Sequence, residues 1–287
     1  MKALIQILVV LAALIAFCHP EANAKAKQIP SKIRIKPPVQ PVAPKPIKVM
    51  VIDTGVSPHL LIKSYLPKGW EQFPVDYPTN RPEVTADIAI HHGTNIAGII
   101  LFGNQDKPDA VACENVVVYS CSFYDKSNTD EENVQKTANC LRRAIILNVD
   151  FVNYSAGGPG GNPIEEKLIS ILSANGTKIV VAAGNDAKPW DKTSYFPAQY
   201  TLKNYSLENL IPVGNIDYEG HRAVTSNYTG GIVYDYGTNI RSTVGMKSFD
   251  FMSGTSQAAA MYTHRLVLKR CMQIQSETEA NKHLAGP

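Results

Sequence analysis

Five short runs rich in β-branched residues recur along the chain: residues 48–53 (KVMVID), 115–122 (NVVVYSCS), 150–155 (DFVNYS), 178–184 (KIVVAAG) and 210–215 (LIPVGN). Apolar residues at consecutive positions over this length fit strands covered on both faces, the habit of parallel sheets. Longer stretches of helical character lie between them. Residues 131–147 have an acidic start and periodic apolar positions, and 164–174 and 256–272 read similarly. Strands alternating with helices predict an α/β chain whose doubly wound, mostly parallel sheet is flanked by helices. Sites in such sheets form beyond the carboxyl ends of the strands, so the ends of these runs are where chemistry is to be sought. The 287 residues, 44% of them hydrophobic, supply a sizeable core, and a charged fraction of 18% argues against a disordered or coiled-coil chain.

Residues 1–24 read as a secretory signal peptide. Lys2 precedes an apolar run over 3–17 broken only by Gln6, and Ala22-Asn23-Ala24 is a cleavage site of small residues. A membrane anchor is the alternative, but the run is short for one. No second segment is long and apolar enough, so no membrane span is expected after signal removal. Residues 25–47 form a basic linker in which Pro30, Pro37, Pro38, Pro41, Pro44 and Pro46 favour extended polyproline II. Six lysines and one arginine within 25–48 exceed the formal net charge of +3, so the remainder of the chain is net acidic. That excludes a basic nucleic-acid-binding domain, and no nucleic acid partner is expected. Residues 48–287 are then the globular domain of a protein that is secreted or periplasmic. It keeps Cys113, Cys121, Cys140 and Cys271. An even number of cysteines in an oxidising compartment predicts up to two disulfides, with three possible pairings. The strand entered after Cys113 and the helix holding Cys140 should be antiparallel neighbours, which favours Cys113 with Cys140. No C-x-x-C pair occurs, so a zinc site is not expected.

Three short motifs carry the chemistry. The first run ends in Ile52-Asp53-Thr54-Gly55, with Asp53 at a strand's carboxyl end. His91-His92-Gly93-Thr94-Asn95-Ile96-Ala97-Gly98 places His92 at the expected start of a helix of small residues. Ser253-Gly254-Thr255-Ser256-Gln257-Ala258-Ala259-Ala260 places Ser256 in the first turn of an Ala-rich helix. Alone, each has an ordinary structural reading: a turn aspartate, a structural histidine, a helix N-cap serine. Together they run Asp, His, Ser, an order distinct from that of the chymotrypsin and α/β-hydrolase types.

These signatures, D-T-G, H-G-T-x-x-A-G and S-G-T-S-x-A, resemble those of the subtilisin-like serine peptidases (subtilases). Val180-Val181-Ala182-Ala183-Gly184-Asn185, Tyr154-Ser155-Ala156-Gly157-Gly158 and Phe196-Pro197-Ala198 resemble further segments of that family. The resemblance covers about residues 47–272. It implies a subtilisin-like fold and a serine endopeptidase acting on protein or peptide substrates. It implies Asp53, His92 and Ser256 as the catalytic triad, with Asn185 as the oxyanion-hole donor. Ser155, Ala156 and Gly157 would bind substrate main chain, and Ala182, Ala183 and Gly184 would wall the pocket for the side chain before the scissile bond. Small uncharged walls imply a preference for large apolar side chains there.

The chain departs from the family pattern in several places. Only 23 residues, 25–47, separate the signal from the first strand, too short and Pro-rich for the folded prodomain many secreted members carry. Asn95 stands where many members have a second histidine, and Ala260 where a proline is common. Asp235-Tyr236-Gly237 takes the place of an A-P-G segment. No cofactor is required by the resemblance. Structural calcium is common in the family, and Asn104-Gln105-Asp106 with Asp109 form a polar loop in the corresponding region, but a hard-cation site needs six or more oxygen ligands. A monomer is the default. Two rival readings stay open: a subtilase fold that binds peptides without turnover or awaits a partner, and a processing protease dedicated to one substrate.

Overall fold

The computed structural model describes residues 44–70, 88–106, 113–124, 128–203 and 207–284. The expected signal peptide and residues 25–43 of the expected linker lie outside these. Six parallel strands form the main sheet: β1 (Ile47–Asp53), β2 (Val116–Ser122), β3 (Phe151–Tyr154), β4 (Lys178–Ala182), β5 (Leu210–Ile216) and β6 (Val233–Tyr236). Their order is β2-β1-β3-β4-β5-β6. The helices are α1 (Ile88–Phe102), α2 (Asp130–Leu147), α3 (Pro163–Ala174), the single turn α4 (Tyr200–Lys203) and α5 (Thr255–Leu284). A small antiparallel hairpin, β7 (Ile240–Val244) with β8 (Ser248–Met252), leads into α5. The five expected strands are all present, and Ile47, read as the last linker residue, opens β1.

The sheet is covered on both faces, and alternation along each strand divides its side chains between two layers. Met50 and Ile52 of β1, with Ile179 and Val181 of β4, face α2 and α3 through Leu141, Ala144, Ile169 and Leu172. Val49 and Val51 face the other way, against Ile96, Ile99 and Ile100 of α1 and Met261 and Val267 of α5. Ala258 and Ala259 bring α5 close beneath Val180 and Val213. Local chemistry fixes the helix starts. Thr129 caps α2 in a reciprocal box with Glu132, and Asn162 caps α3 ahead of Pro163.

The disulfides are Cys113–Cys271 and Cys121–Cys140, which corrects the expected Cys113–Cys140 pairing. The reason lies in the layer into which each thiol packs. Cys121 packs with Cys140 in the α2 layer, whereas Cys113 sits with Val116 and Val118 in the α1 and α5 layer. Cys113 and Cys140 are therefore on opposite faces of the sheet, and only α5 can bring a cysteine to the former. The two bonds span 158 and 19 residues. Loop entropy then predicts that replacing the first pair by serines lowers stability by about 5 kcal/mol and the second by about 3. Thermal or urea unfolding of the two double variants checks both the size and the order.

Candidate active site

β1 and β3 are neighbours between which the chain reverses its direction of winding, since β2 lies on one side of β1 and β3 on the other. A cleft is expected at the carboxyl ends of such a pair. A cavity of about 790 Å³ opens there, lined by Asp53, His92 and residues 154–160, and reaching Tyr124 and Asp130 at the start of α2.

Asp53 is the last residue of β1 and is 2% exposed. Its Oδ1 accepts from Thr54 N at 2.7 Å and lies 2.8 Å from His92 Nδ1. Its Oδ2 is buried without a hydrogen-bond partner among the described residues. His92 is the fifth residue of α1, not at its start as expected, because the helix already begins at Ile88. Gly93 sets the separation of Asp53 and His92. Its N–H donates to Thr54 Oγ1 at 3.1 Å, and a Cβ on it would collide with the Gly55 carbonyl. α1 can thus press against the turn that follows Asp53. Burial works against a charged His92, but the Asp53 carboxylate and its hydrogen bond outweigh burial, and the pKa is raised above the ordinary histidine value.

Ser256 is the second residue of α5 and is buried. Its hydroxyl donates to the Ser155 carbonyl at 2.9 Å, while the Ser155 hydroxyl donates to the Ser256 carbonyl at 3.0 Å. Asn153 Nδ2 donates to the same Ser155 oxygen at 2.8 Å and so orients it. The Ser256 N–H is a first-turn donor that helix geometry leaves without an intrahelical partner. Asn185 follows β4 and is exposed. Its Oδ1 accepts from Thr255 N at 3.0 Å, which fixes the amide's orientation and leaves Nδ2 as a donor with no acceptor among the described residues. If Asn185 is the oxyanion donor that the resemblance implies, Asn185→Ala should lose roughly 10²–10³ in kcat with KM little changed; steady-state kinetics on a peptide anilide checks it.

Several contributors escape sequence inspection. Asn227 holds the loop after Gly184: its Nδ2 donates to the Ala183 carbonyl and to Asp186, and its Oδ1 accepts from Asp186 N and Lys188 N. Gly184 itself has φ +99, and a Cβ there would run into Asn227 and Tyr195. Glu165 lines the cleft and is buried, accepting from Tyr154 at 3.1 Å and Tyr200 at 2.9 Å; burial raises its pKa against these two bonds. An acid in a helix's first turn gives no signal of such a place. Asn95 is a brace, its Oδ1 accepting from Gln257 Nε2 at 3.3 Å and its carbonyl from Ser242 at 2.9 Å. In the loop considered for calcium, Asn104 Oδ1 accepts from Asp106 N and Arg241 N. Asp109 lies outside the described residues. Among those described, no group of three or more His, Cys, Asp or Glu side chains gathers as a metal site, and no helix is long and apolar enough to cross a membrane.

Asp53 and His92 are in contact on the wall of a cleft that Ser155 also lines, and Ser155 exchanges hydrogen bonds with Ser256. The Subtilase family profile matches residues 45–273, and the chain belongs to that family. It is therefore a subtilase-type serine protease. It is 26% identical over 271 residues to the major intracellular serine protease of Bacillus subtilis (strain 168), covering 92% of this chain and 82% of that one. It is 30% identical over 227 residues to subtilisin-like protease 1 of Pseudogymnoascus destructans, covering 73% of this chain and 48% of that protein. Among solved structures, the prenylagaramide maturation protease PagA superposes with a TM-score of 0.61 at 21% identity, covering 82% of this chain and 78% of that one. The patellamide maturation protease PatA superposes with a TM-score of 0.60 at 20% identity over 80% of each chain.

Proposed function

We propose that this chain is an exported serine endopeptidase that cleaves peptide bonds through an acyl-enzyme. The observation that carries the reading is the 2.8 Å contact of buried Asp53 with His92 on the cleft wall, together with Ser256 in the first turn of α5. In this mechanism the Ser256 hydroxyl turns from the Ser155 carbonyl to His92, which takes its proton as Oγ attacks the substrate carbonyl. Asp53 holds the His92 proton on Nδ1 and stabilises the imidazolium that forms. Asn185 Nδ2 and the Ser256 N–H receive the oxyanion, and the helix dipole of α5 favours the developing negative charge. His92 then gives its proton to the leaving amine, and water, activated by the same histidine, hydrolyses the ester. Substrate lies extended along 155–157, adding a strand by main-chain pairing. Export is supported by the apolar N-terminal run and by two disulfides, which persist in oxidising compartments.

Labelling of the full chain with a fluorophosphonate serine probe tests the reading. Labelling that disappears in Ser256→Ala supports it. A folded chain that takes no label would turn the reading to peptide binding without turnover. A dedicated processing role is the second reading, since the fold is shared with two proteases named for maturation. Casein separates the two: general degradation favours the first, and labelling without casein cleavage favours the second.

A further inference from the structure

The space where a large side chain was expected to bind contains a ring of the protein itself. A Cβ built on Gly157 would lie 2.5 Å from Tyr195 Cε1 and 2.7 Å from Cζ, and one built on Gly184 would lie 2.8 Å from Cδ2 and 2.9 Å from Cγ. The two glycines therefore face opposite edges of one aromatic ring, which spans the gap between segments 155–157 and 182–184. These are the two segments that would flank the side chain of the residue whose carbonyl Ser256 attacks. Ala182 and Ala183 are fully buried and Gly184 is buried, so this wall is covered. Tyr195 itself lines the open cleft, which runs from there along 154–160 towards Tyr124 and Asp130.

The backbone that carries the ring is held on both sides. Phe196, next in the chain, exchanges both backbone hydrogen bonds with Gly158, at 2.8 and 3.0 Å. The Tyr195 carbonyl accepts from Gln199 N at 3.1 Å. Gln199 Nε2 in turn donates to the carbonyls of Trp190 and Thr193. Burial, and then the nearby Asp186 carboxylate, push the Tyr195 hydroxyl up to about 12, so the ring is neutral across the working range. Both glycines are matched to it. Any Cβ at either would overlap the ring, and φ +99 at Gly184 disfavours other residues as well.

We infer that Tyr195 determines specificity by filling the gap between Gly157 and Gly184, so that the enzyme cleaves after small residues, Gly, Ala or Ser, and rejects Phe and Leu. This rests on the peptidase reading above and names its substrate class. It also reverses the preference for large apolar side chains expected from the wall residues alone.

The test is kcat/KM on succinyl-Ala-Ala-Pro-X-p-nitroanilides with X as Ala, Leu or Phe, using the full chain and fluorophosphonate labelling of the same preparations. Ala should exceed Phe by about tenfold or more, since even one methylene too many in a tight pocket costs on that order. Tyr195→Gly should raise the Phe-to-Ala ratio by about 10–100-fold, mainly through KM, by opening the gap. Tyr195→Phe should keep the ratio of the parent, because the ring and not the hydroxyl occupies the space. If Tyr195→Gly does not fold, the parent and Tyr195→Phe profiles still decide. A labelled, active parent that prefers Phe or Leu overturns this inference and leaves the peptidase reading standing. A folded Tyr195→Gly enzyme with an unchanged ratio does the same. A chain that neither labels nor cleaves any of the peptides overturns both.

Discussion

Asp53→Asn is expected to lower kcat strongly, but by less than the roughly 10⁴ seen where the amide of another serine protease triad leaves the histidine in the wrong tautomer. The structure adds what should accompany that loss. Thr54 N–H points at Asp53 Oδ1, the same atom that faces His92. In the variant this donor favours the amide oxygen at that position, so His92 Nδ1–H keeps an acceptor. What disappears is the negative charge. His92 then feels burial without the counter-charge that outweighed it, and its pKa must fall. The acid limb of the parent's pH–rate profile should lie above about 6.5, the ordinary histidine value, because the proposed mechanism needs neutral His92 as its base. In Asp53→Asn the limb should move below that of the parent. Profiles of kcat/KM against pH check both. A large loss without a shifted limb would mean that the ring had turned away rather than lost a charge.

Ser256→Ala should remove peptide hydrolysis on the order of 10⁶-fold, leaving only what binding and the oxyanion donors provide. The fold should survive it. The lost hydroxyl makes one hydrogen bond, to the Ser155 carbonyl, and leaving that acceptor unpaired costs about 1–3 kcal/mol. Comparing Tm with residual kcat tells the two effects apart. Inactivity in a variant with a near-parental Tm would assign the loss to the nucleophile.

What the residues disclose in advance depends on how local the determining contacts are. Strands β1 to β5 are legible because burial on both faces forces runs such as VMVID and IVVA. The edge strand β6 is not: in VYDY only Asp235 is buried, and it is held there by Arg265 of α5 at 2.8 Å. The β7–β8 hairpin escapes too, since Phe249, Asp250 and Phe251 of β8 are exposed. The helix expected over 256–272 continues to Leu284. Asp53, His92, Ser256 and Asn185 stand out through residues fixed by nearby backbone geometry. Gly93 lets α1 approach Asp53, and Thr255 N–H orients Asn185. Tyr195 and Asn227 act on segments distant in sequence, and neither lies in a pattern of its own. The cysteine pairing is illegible for the same reason: it depends on which layer each thiol packs into and on where α5 travels.

The bond between Cys113 and Cys271 has a consequence for a chain that digests protein. It closes a covalent ring that contains Asn185 and Ser256, while Asp53 and His92 lie on the chain that enters it. A cut in any loop between residues 113 and 271 opens the ring without dividing the molecule. Fragments carrying the serine and the histidine would stay joined, and the nicked species would run as two pieces only after reduction. Damage of this kind is held in place by topology, so α5 keeps its seat beneath the sheet while the rest of the packing remains to hold the site together.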